Sequence, residues 1–146
     1  MSAFAKNCTA TVIPAMRYRD AHAAIDWLVR ALGFEKQAVY EGPDGSVMHA
    51  QLTFGNGMVM IGSVQKEGEY SKLMTQPDEI GMRETHCPCL IVSDAQAIYD
   101  SAVANGATIV MDLAEMPYGG KAFMCRDPEG HIWSIGEYDP WAAHGA

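Results

Sequence analysis

The stretch DPEGHIWSIGEYDP, running from Asp127 to Pro140, sets a histidine, a serine and several carboxylates within a few residues, types that ligate divalent metals or move protons. Two other places carry such groups: His49 in VMHAQLTF, and the run His86-Cys87-Pro88-Cys89. Spacing separates them. His131 follows Gly130 directly and stands three positions from Ser134, so on a strand the two point to opposite faces. A structural turn role is favoured for His131, and Glu137 is likewise off-register from Ser134. His86 and Cys87 diverge if the strand has already begun there. Cys-Pro-Cys is too short for the helix-borne Cys-x-x-Cys redox arrangement and has no evident cationic neighbour, so buried structural thiols are expected. In the His49 strand, Met48, Ala50, Leu52 and Phe54 form an apolar face. His49, Gln51 and Thr53 fall on the other, either solvated or lining a pocket. A single histidine titrating near neutrality suffices for a general base, and His49 could serve. The glycine-rich FGNG and YGG lead into no helix, so neither forms a phosphate cradle.

The elements that position these residues come in two copies. Setting Asp20 against Asp94, an offset of 74, also matches Ala21 with Ala95, Ala23 with Ala97, Asp26 with Asp100 and Val29 with Val103. Gly33 meets Gly106, and Gly57 meets Gly130, at an offset of 73. The period is too long for a stacked array and implies a duplicated supersecondary unit. Asp20 caps a helix whose apolar positions Ala21, Ile25, Leu28 and Leu32 recur at steps of three and four before Gly33 stops it; Asp94, Ile98, Ala102 and Gly106 repeat the pattern. A strand-like run precedes each helix (TVIPAMRY, CPCLIV) and three alternating segments follow. Each copy therefore reads β-α-β-β-β. Residues 9–63 form the first module, 64–85 a linker without periodicity, and 86–140 the second, within a single domain spanning 1–146. Pro14 and Pro88 sit in the leading strands, which marks those strands as edges or bulged.

Composition narrows the function. With 146 residues, 49% of them hydrophobic, the chain can bury one core. A net charge of -8 with no basic cluster repels polyanions, so no nucleic acid is expected as a partner. No segment approaches the length that spans a bilayer and no secretory leader opens the chain, which points to a cytoplasmic protein without membrane contact. Four sparse cysteines are expected to stay reduced.

The duplicated βαβββ module, with LGFE closing the first helix and DPEGHIWSIGEYDPW near the end, resembles the vicinal oxygen chelate superfamily of glyoxalases, bleomycin-resistance proteins and extradiol dioxygenases, over nearly the whole chain. The resemblance implies an α+β fold in which the two modules form a cupped, barrel-like mixed sheet with helices outside, ligands in the concavity, and a homodimer. It also implies metal-ligand positions: seven residues before each capping aspartate, here Ile13 and Cys87, and four after each turn glycine, here Ile61 and Ser134. That set holds no histidine or carboxylate, and isoleucine has no donor atom. A metal-free pocket without a cofactor is therefore expected, binding a partly apolar small molecule between Ile13, His49, Gln51, Ile61, Cys87, Met124 and Ser134, with catalytic residues unassigned. The alternative is a lyase, isomerase or dioxygenase using His49 as base, or displaced histidine ligands such as His49 and His86.

Overall fold

A computed structural model describes residues 3–142. Strand β1 (Ala15–Tyr18) leads into helix α1 (Ala21–Trp27), a π turn (Leu28–Leu32) and strands β2 (Glu35–Glu41), β3 (Val47–Phe54) and β4 (Gly57–Ser63). The second copy repeats this with β5 (Cys89–Ile91), α2 (Ala95–Ala104), β6 (Thr108–Glu115), β7 (Lys121–Arg126) and β8 (Ile132–Gly136). The caps act as the sequence requires: the carboxylates of Asp20 and Asp94 accept from the N–H groups of Ala23 and Ala97.

Each copy makes its own four-stranded mixed sheet, ordered β1-β4-β3-β2 and β5-β8-β7-β6, with the leading strand parallel to the last. The two sheets are not closed into a barrel. Both leading strands lie at sheet edges, where a proline costs no ladder bond. The carbonyls of Pro14 and Pro88 still accept from Met60 and Ser134.

The change of offset between the copies has a visible cause. From Asp20 to Gly33 the first copy holds one residue more than the second holds from Asp94 to Gly106. The π turn takes up the extra residue, closing with the Gly33 N–H on the Leu28 carbonyl. Gly33, at φ 93°, ends it in the left-handed conformation.

One hydrophobic core serves both copies, joining Met16, Tyr18, Leu28, Phe34, Leu52 and Ile61 of the first to Leu90, Phe123, Trp133 and Ile135 of the second. Phe34 meets Trp133 edge-on at 5.4 Å between ring centroids. The helices dock on each other through polar anchors, with Trp27 Nε1 donating to the Asn105 carbonyl at 2.7 Å and Ser101 Oγ to that of Arg30 at 3.1 Å. Residues 64–85 hold two single turns, Tyr70–Leu73 and Pro77–Ile80, the second closed by a capping box between Gln76 and Glu79. This segment covers the free edge of β1: Gln76 Nε2 donates to the Arg17 carbonyl at 2.9 Å.

Candidate functional site

Each sheet buries one face beneath the helices and leaves the other open. Alternation assigns the side chains. In β4, Val59 and Ile61 are buried while Met58 and Met60 are half-buried; in β8, Trp133 and Ile135 are buried while Ile132 and Ser134 are half-buried. Ile61 thus points into the core, at 1% exposure, and Met60 takes the open-face place. The register explains the difference from the sequence reading. Ala15 pairs with Met60 and Cys89 with Ser134, so Met60, and not Ile61, is the counterpart of Ser134. Counting from the turn glycine misplaced the position by one, because β3 and β4 are joined by two residues and β7 and β8 by five.

The β3 strand shows a second local shift. Its open face carries His49, Gln51 and Thr53, and Ala50 and Leu52 are buried, as alternation demands. Met48, however, is 58% exposed, and Val47 replaces it in the core. Glu41 pairs with Val47 and Tyr40 with His49, so Met48 is the extra residue of a bulge.

On the first sheet the open face carries a connected polar chain. His49 Nε2 lies 2.9 Å from Gln51 Oε1, Gln51 Nε2 donates to Gln37 Oε1 at 2.5 Å, and the His49 ring stacks on Tyr40 at 6.1 Å. Arg17, Met48, His49, Met60 and Gly62 border a hollow of about 210 Å³, and the expected Ile61 also borders it, although its side chain is buried. Ile13 borders a separate hollow of about 310 Å³ with Gln37, Thr53 and Met58. On the second sheet Cys89, Ser134, Met124 and Met111 form one row across β5, β8, β7 and β6. Cys87 precedes that row, its thiol 3.4 Å from the Ile132 carbonyl. Burial, and then the neighbouring Cys89 thiol, push the Cys87 thiol upward, which disfavours the thiolate that a metal or an electrophile needs. The expected pocket residues other than Ile61 are therefore divided between the two open faces of one chain. His86 lines a third cavity, beside residues 74–85, which shares Ala15, Met16 and Arg17 with the hollow that His49 borders. Among the described residues no three histidine, cysteine or acidic side chains converge on a metal-sized site. The donors at the ligand positions, one thiol, one thioether and one hydroxyl, include no histidine or carboxylate and do not fit a first-row divalent ion.

The DPEGH turn is a joint between the copies. Asp127, buried, accepts from Tyr18 Oη at 2.5 Å and Trp133 Nε1 at 3.0 Å through one oxygen, and from the His131 and Glu129 N–H groups through the other. Burial pushes the Asp127 carboxyl up, and its hydrogen bonds pull the other way; burial and the Asp127 charge hold the Tyr18 phenol well above its ordinary range. His131 is buried too, with Nδ1 3.0 Å from Glu84 Oε1 and Nε2 3.1 Å from the Arg17 carbonyl. Glu129 receives the N–H groups of Arg19 and Asp20. The turn of the second copy thereby grips the end of β1 in the first, which gives His131 the structural role its position suggested. Sequence reasoning missed Arg17. Its signal was there: one basic residue in AMRY at the same parity as Ile13 and Ala15, hence on the open face.

The chain belongs to the glyoxalase/bleomycin resistance protein/dioxygenase superfamily, whose family model matches residues 11–135. It is 32% identical over 131 residues to the uncharacterized protein Mb0911c of Mycobacterium bovis, covering 90% of this chain and 85% of that one. Among solved structures, TioX from Micromonospora sp. ML1 superposes with a TM-score of 0.66 at 29% identity, covering 88% of this chain and 98% of TioX. A superfamily member described as an enzyme, from Burkholderia phytofirmans PsJN, shares the fold at 19% identity, with a TM-score of 0.61 over 84% of this chain and 93% of its own.

Proposed function

We propose that this protein binds a partly apolar small molecule on its open sheet faces without a metal, and that it does so as a homodimer. One observation carries the reading: in and just before the first strands and in the last strands, the open-face positions include Ile13, Ala15, Met58 and Met60 in one copy and Cys87, Cys89, Ile132 and Ser134 in the other, with Arg17 the one charged group among them, a lining suited to apolar contact and poor in metal donors. Support for the dimer comes from what the open faces expose: Tyr40, Met48, Ile91, Val110 and Met111 are large, apolar and uncovered in one chain. A second chain laid across these faces would bring a first-copy face and a second-copy face to one ligand and cover the edges.

The test combines light scattering with elemental analysis and identification of small molecules released on denaturation. The expected result is a dimer, no stoichiometric transition metal, and ligand binding unchanged by chelators. About one equivalent of zinc, nickel, iron or manganese per chain, lost together with function on replacing His49 or His86, would overturn the metal-free reading. A monomer at micromolar concentrations would remove the dimer.

The Gln51 contact favours one second reading, a metal-free enzyme. With Nε2–H directed at Gln51 Oε1, His49 keeps its Nδ1 lone pair for a proton. His49→Ala abolishing turnover while leaving ligand affinity within about twofold would select that reading.

A further inference from the structure

We propose that Arg17 is an oxyanion receptor, so that the ligand of the first open face is an apolar molecule bearing one carboxylate, sulfonate or phosphate. The proposal rests on the reading of the open faces as the ligand pocket and adds the charge of what they hold. Arg17 lies on β1 beside Met60 and His49, half-buried, and borders the 210 Å³ hollow. Among the described residues no carboxylate comes within ion-pairing distance of it. Glu79, nearby, is engaged by Arg19 Nη2 and the Gln76 N–H, and Glu84 by His131. Of its five guanidinium N–H groups, the structure gives one a protein acceptor, the Ser63 carbonyl at a long 3.4 Å; one face of the group rests on the Tyr70 ring at 4.9 Å. The donors that the protein leaves unengaged on this half-buried cation are available to an oxyanion, which a guanidinium binds through charge-assisted hydrogen bonds.

Gly62 makes the place for this guanidinium. It is buried, pairs with Arg17 across β1 and β4, and does not have the positive φ that would call for glycine. A Cβ at Gly62 would stand 2.1 Å from Arg17 Nη1 and 3.3 Å from the Met48 carbonyl. The missing side chain therefore serves space: it lets the guanidinium lie against the sheet floor beside the hollow. Met48 and Met60 supply adaptable apolar walls on either side, and His49 a polar neighbour. Arg19, two residues on, lacks these features, being exposed and paired with Asp78 and Glu79.

Two dyes with a shared apolar body separate charge recognition from apolar binding: 8-anilinonaphthalene-1-sulfonate and its uncharged analogue N-phenyl-1-naphthylamine, each titrated by its fluorescence. The wild-type protein is expected to bind the sulfonate about tenfold more tightly, the scale of a charge-assisted contact. Arg17→Met should bring the two dyes within about twofold while leaving the neutral dye unchanged. Gly62→Ala, which keeps the charge but takes its place, should cut the preference about threefold or more, and Arg19→Met should leave it intact. Met60→Gln should weaken both dyes, locating them on the open face. An unchanged preference in Arg17→Met, or none in the wild type despite neutral-dye binding, overturns the anion proposal alone. Failure of both dyes to bind, or binding indifferent to Met60→Gln, overturns the pocket reading and this proposal with it.

Discussion

Asp127 holds four hydrogen bonds in a site closed to water, and Tyr18 supplies the shortest of them from the other copy. Tyr18→Phe keeps the ring and its packing but leaves one buried oxygen short of a donor, so it should cost about 1–3 kcal/mol in chemical denaturation. Cys125 is the other residue whose surroundings set a measurable outcome. Burial pushes its thiol from 9.0 to about 12. A raised thiol keeps its proton in the folded state at pH values where the unfolded chain has lost it. Its contribution to stability is therefore complete below pH 9 and disappears as pH rises toward about 12. Tyr18 acts in the same direction above pH 10. Stability should fall across that range, and Cys125→Val should make the slope shallower. The turn also marks what sequence could tell: that His131 and Trp133 belong to a turn and a core strand was legible from spacing, but Tyr18 reaches Asp127 across 109 residues and leaves no local sign.

At the scale of elements, the helices, the six later strands and the duplication followed from periodicity and capping, because those signals are local. Register did not. The Met48 bulge and the unequal β3–β4 and β7–β8 turns each slip a side chain by one position, and with a period of two a single slip exchanges core for open face. Ile61 and Met48 were misplaced for that reason alone. Glu137 shows the same kind of long-range placement used constructively. Just beyond β8, its carboxylate accepts from the Ala95 N–H at the start of α2 and the Lys121 N–H at the start of β7, both at 2.9 Å. Those two backbone bonds hold it below the usual glutamate value of 4.5. A depressed carboxylate contributes stability above its unfolded value and loses it as pH falls through the folded one. Thermal unfolding of the Glu137→Gln protein should therefore fall less steeply below pH 4.5 than that of the wild type.

For the whole molecule, the sequence displayed two modules but not how they meet. The single core expected of a chain this long is built from contacts between the copies: Phe34 lies on Trp133, Tyr18 on Asp127 and Trp27 on Asn105. The halves form one core, and the two βαβββ modules keep the expected α+β fold as two four-stranded sheets that are not closed into a barrel. Calorimetry should accordingly show one transition with equal calorimetric and van't Hoff enthalpies. The segment just after β4 has a different standing. Val64 to Glu69 is exposed and free of regular structure, whereas Gln76, Pro77 and Glu84 further on are docked against β1 and the DPEGH turn. Peptide-bond continuity at Lys66 is therefore dispensable once the chain has folded. Brief trypsin treatment should cut there first, and the two fragments should co-elute as a nicked protein of native size until denaturant parts them.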